Sequence, residues 1–399
     1  MLLESDNFEL TNEELFEIMD MCDQNESGRD HSKFKDIDFL RDAIKARYKV
    51  LNAGLRETAQ DHVNQSIIIP EIIIPKVDGR TDLTNLFTIS IDSVRGGDIS
   101  KVLFDDAFSL SVDSMGNYIL FVHIPDVDSY IPREGDVENF MRGLGESVYA
   151  KDMVTPLLSH DLADKCTLEH GKVKPTLSFM MKIDSKGNVK DITFFKSLTR
   201  VNYNLSAAKA NTFIANNSDE RLNILNPMYE LASKLRRKRG ERIGNRTKAY
   251  VIMDEFNIIA DLAVASYFAD NKIIFPYKNF KGKRTPVSQI NIAQTEHFLK
   301  VNDISEQGRE VINAIFDINN RVYYDTVNHG NISFGGKPTG NVGNPMREYI
   351  SLETDRLIKD LLIDKMNNED YWFERIERDC IEYTETSAKI KELYSKNHR

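Results

Sequence analysis

The stretch Phe256–Ala269 is apolar on nearly every helical face, interrupted only by Asn257, Asp261 and Ser266. A helix without a polar side must be enclosed by protein, so this segment demands a large core with layers packed around it. The chain of 399 residues is long enough to supply one, as one large domain or as two or three smaller ones. At 41% hydrophobic residues a wholly disordered chain is excluded. No uninterrupted apolar run approaches the roughly 20 residues of a membrane helix, so no membrane partner is expected. The start, MLLESDNFEL, has acids where an export signal carries basic residues. Cys22, Cys166 and Cys380 are far apart and form no CxxC pair. A cytoplasmic setting without a disulfide framework or cysteine zinc site is therefore expected. The net charge of −10 argues against a protein that coats nucleic acid with a basic surface. It leaves room for an enzyme that is acidic outside and basic along an internal channel.

Two regions differ in texture. Residues 1–79 read mainly as helix: Thr11 and Glu14 have capping-box spacing, and a second helical stretch covers Phe34–Gln60. Ser66–Pro75, rich in isoleucine and proline, reads as an extended edge. From Arg80 onward strands appear. Leu86–Asp92 reads as a strand, and Asp113-Ser-Met-Gly-Asn117 and Asp184-Ser-Lys-Gly-Asn188 read as hairpin turns. Helices are expected over Asp219–Arg239, Phe256–Ala269, parts of Ser305–Val322, and Tyr371–Lys396. Between them Asn328–Asn344 is a glycine-rich loop, leading into a helix with Asn344 as cap and Pro345 in its first turn.

Three clusters could carry chemistry. Asp92, Asp98, Asp105 and Asp106 lie at a strand end and in the loop after it. Carboxylates so placed suit hard divalent cations, which can hold both oxygens of a phosphodiester displacement; the alternative is a solvated acidic loop. Neighbouring aspartates in a regular strand face opposite ways, so Asp105 and Asp106 can share a site only where the strand is broken. The loop ending Gly343-Asn-Pro-Met-Arg347 could offer a helix N-terminus and an arginine to a phosphate, or be an ordinary capped helix. The run Lys234–Arg242 could track a phosphate backbone, or be a solvated helix end favoured by the helix dipole. Taken singly, Tyr149 and Glu377 carry no signal.

Read in order, these pieces resemble the ribonuclease II/ribonuclease R family and its RNB catalytic domain. Arg80-Thr-Asp-Leu83 with Thr88-Ile-Ser-Ile-Asp92-Ser is similar to the family's "RxDLR…TIDS". Asp105-Asp106-Ala107 is similar to "DxDDA", and Val122-His-Ile-Pro-Asp-Val127 to "VHIADV". Glu146-Ser-Val-Tyr149, Thr155-Pro-Leu-Leu158 and Cys166-Thr-Leu168 follow in register with "SVY", "PMLP" and "CSL". Ile258–Ala265 resembles "LLANEAVA", Asn344-Pro-Met-Arg347-Glu-Tyr349 with Arg356-Leu357 resembles "SPIRRY…HRL", and Glu377-Arg378 resembles "AER". The collinear set covers residues 80–383. The resemblance implies an α+β fold, a mixed sheet with surrounding helices and a buried central helix enclosing an RNA channel. It divides the chain into a helical region, 1–79, and a catalytic domain, 80–399. The implied activity is 3'→5' hydrolysis of single-stranded RNA to nucleoside 5'-monophosphates with Mg2+, or Mn2+ in its place. Asp92, Asp98, Asp105 and Asp106 would hold metal, and Arg347 would grip the scissile phosphate. Tyr149 would stack on a base, while Glu377 and Arg356 would contact RNA. Family members often carry OB-type barrels on both sides. None is expected here after the terminal helix, and residues 1–79 could instead meet a protein partner.

The chain also departs from the pattern. Ile99–Phe104 separates Asp98 from the Asp105-Asp106 pair, so either six residues loop out or Leu103 replaces an acid. Glu348 stands for the second arginine of "PIRRY", Asn344 for its serine, Ser351 for the following aspartate, and Asp261 for the central-helix asparagine. The competing reading is thus a degenerate RNB fold that binds RNA or protein without cutting.

Overall fold

The computed structural model describes residues 79–93, 102–149, 154–216, 222–241, 246–280, 322–366 and 368–397. The helical expectations for residues 1–79 and for Ser305–Val322, and the strand over Ser66–Pro75, lie outside the described residues. The strands are β1 (Thr81–Asp82), β2 (Thr88–Asp92), β3 (Ala107–Val112), β4 (Tyr118–Pro125), β5 (Val148–Tyr149), β6 (Val154–Thr155), β7 (Val173–Ile183), β8 (Val189–Arg200), β9 (Tyr203–Ser206), β10 (Tyr277–Asn279) and β11 (Tyr323–Asp325). The helices are α1 (Asp136–Leu144), α2 (His160–Cys166), α3 (Ala207–Asn216), α4 (Leu225–Lys238), α5 (Lys248–Asn271), α6 (Tyr349–Ile358) and α7 (Glu369–Asn397). A sheet runs in the order β1-β8-β7-β4-β3-β2-β9. It is mixed: β1 is parallel to β8 and β9 to β2, and the other pairings are antiparallel. Strands and helices together make the α+β class expected from the chain.

Both hairpins form where expected, by one chemistry. Asp113 accepts from the backbone of Met115 and Asn117, Asp184 accepts from Lys186 and Asn188, and Gly116 and Gly187 take the left-handed conformation that closes each turn. The apolar stretch is the middle of α5. The helix runs from Lys248 to Asn271, and the buried Ala249, Val251 and Ile252 carry the apolar core toward its start. Phe256 meets Phe108 of β3 edge to face at 5.3 Å. The opposite face of the sheet carries buried hydroxyls. Ser109 and Ser178 flank the buried His123 at 3.0 and 2.7 Å, and burial pushes the imidazole down to about 3, so it is neutral. Among the described residues no helix is long and apolar enough to cross a membrane.

The glycine-rich loop returns to α5 at Gly340. A Cβ there would lie 2.5 Å from Cζ of Phe275, a ring with no exposed surface packed between Phe268 and Tyr277. Gly340→Ala is therefore expected to destabilise the protein by about 1–3 kcal/mol through overpacking, read as a lower urea midpoint at unchanged slope.

A buried ionic network ties α6 to α1, to α7 and to the turn after β4. Arg356 has no exposed surface and donates to Asp128 at 2.6 Å, Glu138 at 2.8 Å and Glu353 at 2.7 Å. Arg375 donates to Glu353 and Glu138, each at 2.5 Å. Lys359 joins Asp126 at 2.6 Å to Asp128 at 2.5 Å. This corrects one expectation: Arg356 is not an RNA contact, because it has no exposed surface and pairs with Glu138, Glu353 and Asp128 inside the protein. Burial pushes Glu353 up, but Arg375 and Arg356 outweigh it and hold the carboxyl at about 2.

The basic run closes α4, with Arg236, Arg237 and Lys238 in its last turn as the helix-end reading expects, and most of it is paired. Lys234 donates to Tyr118 Oη at 3.0 Å and to Ser185 O at 2.7 Å, and Lys238 donates to Gly187 O at 2.9 Å. Arg236 and Arg239 donate to the buried Glu255 at 3.1 and 2.6 Å. The run docks α4 onto the second hairpin turn and onto α5. Arg237 and Lys238 remain exposed, and Arg242 lies outside the described residues.

Candidate active site

Asp92 ends β2, and the segment 102–106 approaches it without being strand. That irregular approach meets the condition for two neighbouring aspartates to face one site. It is held in place from outside: Phe104 N–H donates to Thr167 Oγ1 at 2.7 Å, and Leu168 N–H to Phe104 O at 3.1 Å. Phe104, Ala107, Leu168 and Val201 form a small apolar cluster beneath it. Ser90 Oγ donates to Asp106 O at 2.5 Å, fixing the segment against β2. Asp92, Asp105 and Asp106 thereby share one electrostatic neighbourhood. Burial raises Asp105 to about 7; Arg347 opposes this, and the charges of Asp106 and Asp92 add to it. Burial raises Asp106 to about 6, opposed by a hydrogen bond from Asn257. Asp92 is also raised by burial. Leu103, the other candidate register for an acid, packs against the main core.

Arg347 reaches this cluster, but not from a helix N-terminus. Asn344–Arg347 is a turn, in which Arg347 and Glu348 N–H both donate to Asn344 O, at 2.9 and 2.8 Å. Helix α6 begins at Tyr349 with Glu348 as its extended N-cap, which corrects the expected cap at Asn344. Pairing with the segment before β5 displaces the start. Ser147 N–H donates to Arg347 O at 2.8 Å, and Tyr349 N–H to Gly145 O at 2.7 Å. Gly145 is left-handed, and a Cβ there would lie 3.0 Å from Thr386 on α7, so only glycine suits it. From this turn the Arg347 guanidinium pairs with Asp105, stands 3.6 Å from Asp92 and donates to Leu103 O at 3.3 Å.

Glu348 points away from the acids. It accepts from Asn341 Nδ2 at 2.5 Å and from Tyr383 Oη at 2.8 Å. Asp261 accepts from Val342 N–H at 2.9 Å, and burial raises it to about 7. A hydrogen bond with Tyr324 and the charges of Glu348 and Asp261 raise the pKa of the half-buried Lys278. The two acids that replace an arginine and an asparagine of the family pattern thus both act electrostatically on one lysine.

Asn257 is the residue that sequence reasoning missed. Its Nδ2 donates to Asp106 Oδ2 at 2.5 Å. The available signal was its spacing: Asn257 and Asp261, four residues apart, lie on one face of an otherwise apolar helix. Of the other expected site residues, Asp98 and the Tyr149 side chain lie outside the described residues. Glu377 is exposed on α7 and makes no hydrogen bond or ion pair among the described residues. Among the described residues no three ligand side chains already stand close enough to hold one ion. The donor chemistry nonetheless fits a hard cation: oxygen ligands only, crowded like charges, and an Asp105 Oδ1 that is buried without a partner.

A family model described as the RNB domain matches residues 80–364. Ribonuclease R of Chlamydia pneumoniae is 23% identical over 400 residues, covering 88% of this chain and 57% of that protein. The chain thus spans little more than half of that relative's length. In three dimensions it is similar to Mycoplasma genitalium RNase R in complex with ribose methylated single-stranded RNA. The TM-score there is 0.65 at 20% identity, covering 84% of this chain and 60% of the other. It is also similar to yeast Ssd1, a pseudonuclease, with a TM-score of 0.62 at 16% identity, covering 81% of this chain and 46% of the other. Likeness at such identity speaks for the fold alone, and the family match, which spans most of the chain, establishes that this protein belongs to the RNB domain family.

Proposed function

We propose that this chain is a metal-dependent exoribonuclease that degrades single-stranded RNA from its 3' end to nucleoside 5'-monophosphates, with Mg2+ replaceable by Mn2+. The observation that carries the reading is the convergence of Asp92, Asp105 and Asp106 with Arg347 from a distant turn. Asp92, Asp105 and Asp106 would hold the ions, with Asp98 as a further ligand. Bound divalent ions would supply charge to the attacking and leaving oxygens of an in-line displacement. Arg347 carries the forked charge that fits a phosphate; with the carboxylates neutralised, its guanidinium is available to the scissile group. The family resemblance assigns Tyr149 to base stacking and Glu377 to the terminal nucleotide. Asn257 steadies Asp106 from the core side.

A second reading, an RNB fold that binds RNA without cutting it, is favoured by Glu348, which turns its carboxylate into the Asn341–Tyr383 pocket where the family has an arginine. A time course on 5'-labelled single-stranded RNA with Mg2+, Mn2+ or chelator separates the two. A ladder that shortens steadily, and only with metal, is the expected result. Immediate short labelled products would mean the opposite polarity or internal cutting. Retained binding without cleavage would establish the second reading.

A further inference from the structure

We infer that Asn257 is a positioning residue for the candidate metal site, holding the Asp106 carboxylate so that Oδ1 is left open to a divalent ion. The inference rests on the metal-dependent reading above. Its grounds are geometric. The Asn257 amide donates to Asp106 Oδ2 at 2.5 Å, and a carboxylate partner identifies the donating atom as nitrogen. Oδ2 is held, and among the described residues no hydrogen bond reaches Oδ1. The holder is rigid: Asn257 follows Phe256, which has no exposed surface, on the central helix of the core.

The other end of the amide separates this role from simple packing. Asn257 Oδ1 is buried and has no partner among the described residues. A structural asparagine in a core pairs both ends, and an apolar side chain would fill the same space without an orphaned carbonyl. The amide is thus retained at a cost, for the sake of the one bond it makes. Partners that orient a metal ligand in this way typically contribute about tenfold or more to metal affinity.

The test is Mn2+ binding to the full chain without RNA, read by the electron paramagnetic resonance of the free ion. Asn257→Ala and the longer, helix-favouring Asn257→Met are measured beside the wild type, each with its melting temperature. Both are expected to bind Mn2+ about tenfold or more weakly. The exchange Asp106→Asn with Asn257→Asp keeps the charge and the hydrogen bond, with the donor reversed. It is expected to melt like the wild type yet still bind Mn2+ weakly, because the carboxylate has moved to the wrong backbone position. Folded Asn257→Ala or Asn257→Met protein with affinity within about twofold of wild type overturns the inference. So does an exchanged protein that recovers Mn2+ affinity together with its melting temperature. A wild-type chain that binds no Mn2+ overturns the metal site itself, and this role with it, so the two failures are distinguishable.

Discussion

Asp106→Asn is expected to slow cleavage of single-stranded RNA by about 10³-fold while leaving RNA affinity within a factor of about two. Removing one metal-ligand charge forfeits several kcal/mol of transition-state stabilisation, and each 1.36 kcal/mol is a decade in rate. The shape survives, because the new side-chain oxygen can still accept from Asn257 Nδ2 as the carboxylate does. Single-turnover cleavage and equilibrium binding, measured on the same labelled RNA, give the two numbers. Near-normal cleavage would remove Asp106 from the chemistry. A parallel loss of binding would mean that Asp106 supports the fold of the site instead.

Arg356→Ala is expected to destabilise the protein by about 3–5 kcal/mol, the usual consequence of breaking a buried ion network by removing one partner. Asp128, Glu138 and Glu353 would each lose a charge-assisted hydrogen bond, and Glu138 and Glu353 have no exposed surface from which to recover hydration. Urea denaturation measures the effect. A variant of normal stability with weakened RNA binding would restore Arg356 to the RNA surface. The same network sets a pH signature. Glu353, held at about 2 against an unfolded value near 4.5, contributes stability that is present above pH 4.5 and lost as pH falls towards 2. Asp261 and Asp379 act with the opposite sign. Burial raises each to about 7, so their contribution is present below about pH 4 and lost as pH rises through 7. Melting temperature is therefore expected to peak between about pH 4 and 4.5 and to fall by several degrees on either side. A flat profile between pH 5 and 8 would contradict the raised values.

How much was legible can be judged element by element. The two Asp-Ser-x-Gly-Asn turns were readable because their hydrogen bonds are local, made by an aspartate to residues two and four further on. The α5 core was readable because its residues are apolar all round. The α6 start was misread because Asn344-Pro345 has the composition of a cap. Pairing with Gly145–Ser147, two hundred residues earlier in the chain, opens the turn instead. The Lys234–Arg239 run was legible as a helix end, but its partners were not, because they sit on a hairpin and on a different helix.

The sequence by itself determined the family, the α+β class, the hairpins and the central helix. Collinear motifs, turn chemistry and periodicity are properties of neighbours along the chain. It also named Asp92, Asp105, Asp106 and Arg347. Only the tertiary structure decided that these four meet, that Arg356 is an internal strut, and that Asn257 holds Asp106. The reason is physical: a carboxylate's role depends on how far it is desolvated and which charges and donors stand within a few ångströms. Those neighbours come from segments distant in sequence, brought together by packing on one sheet and one buried helix.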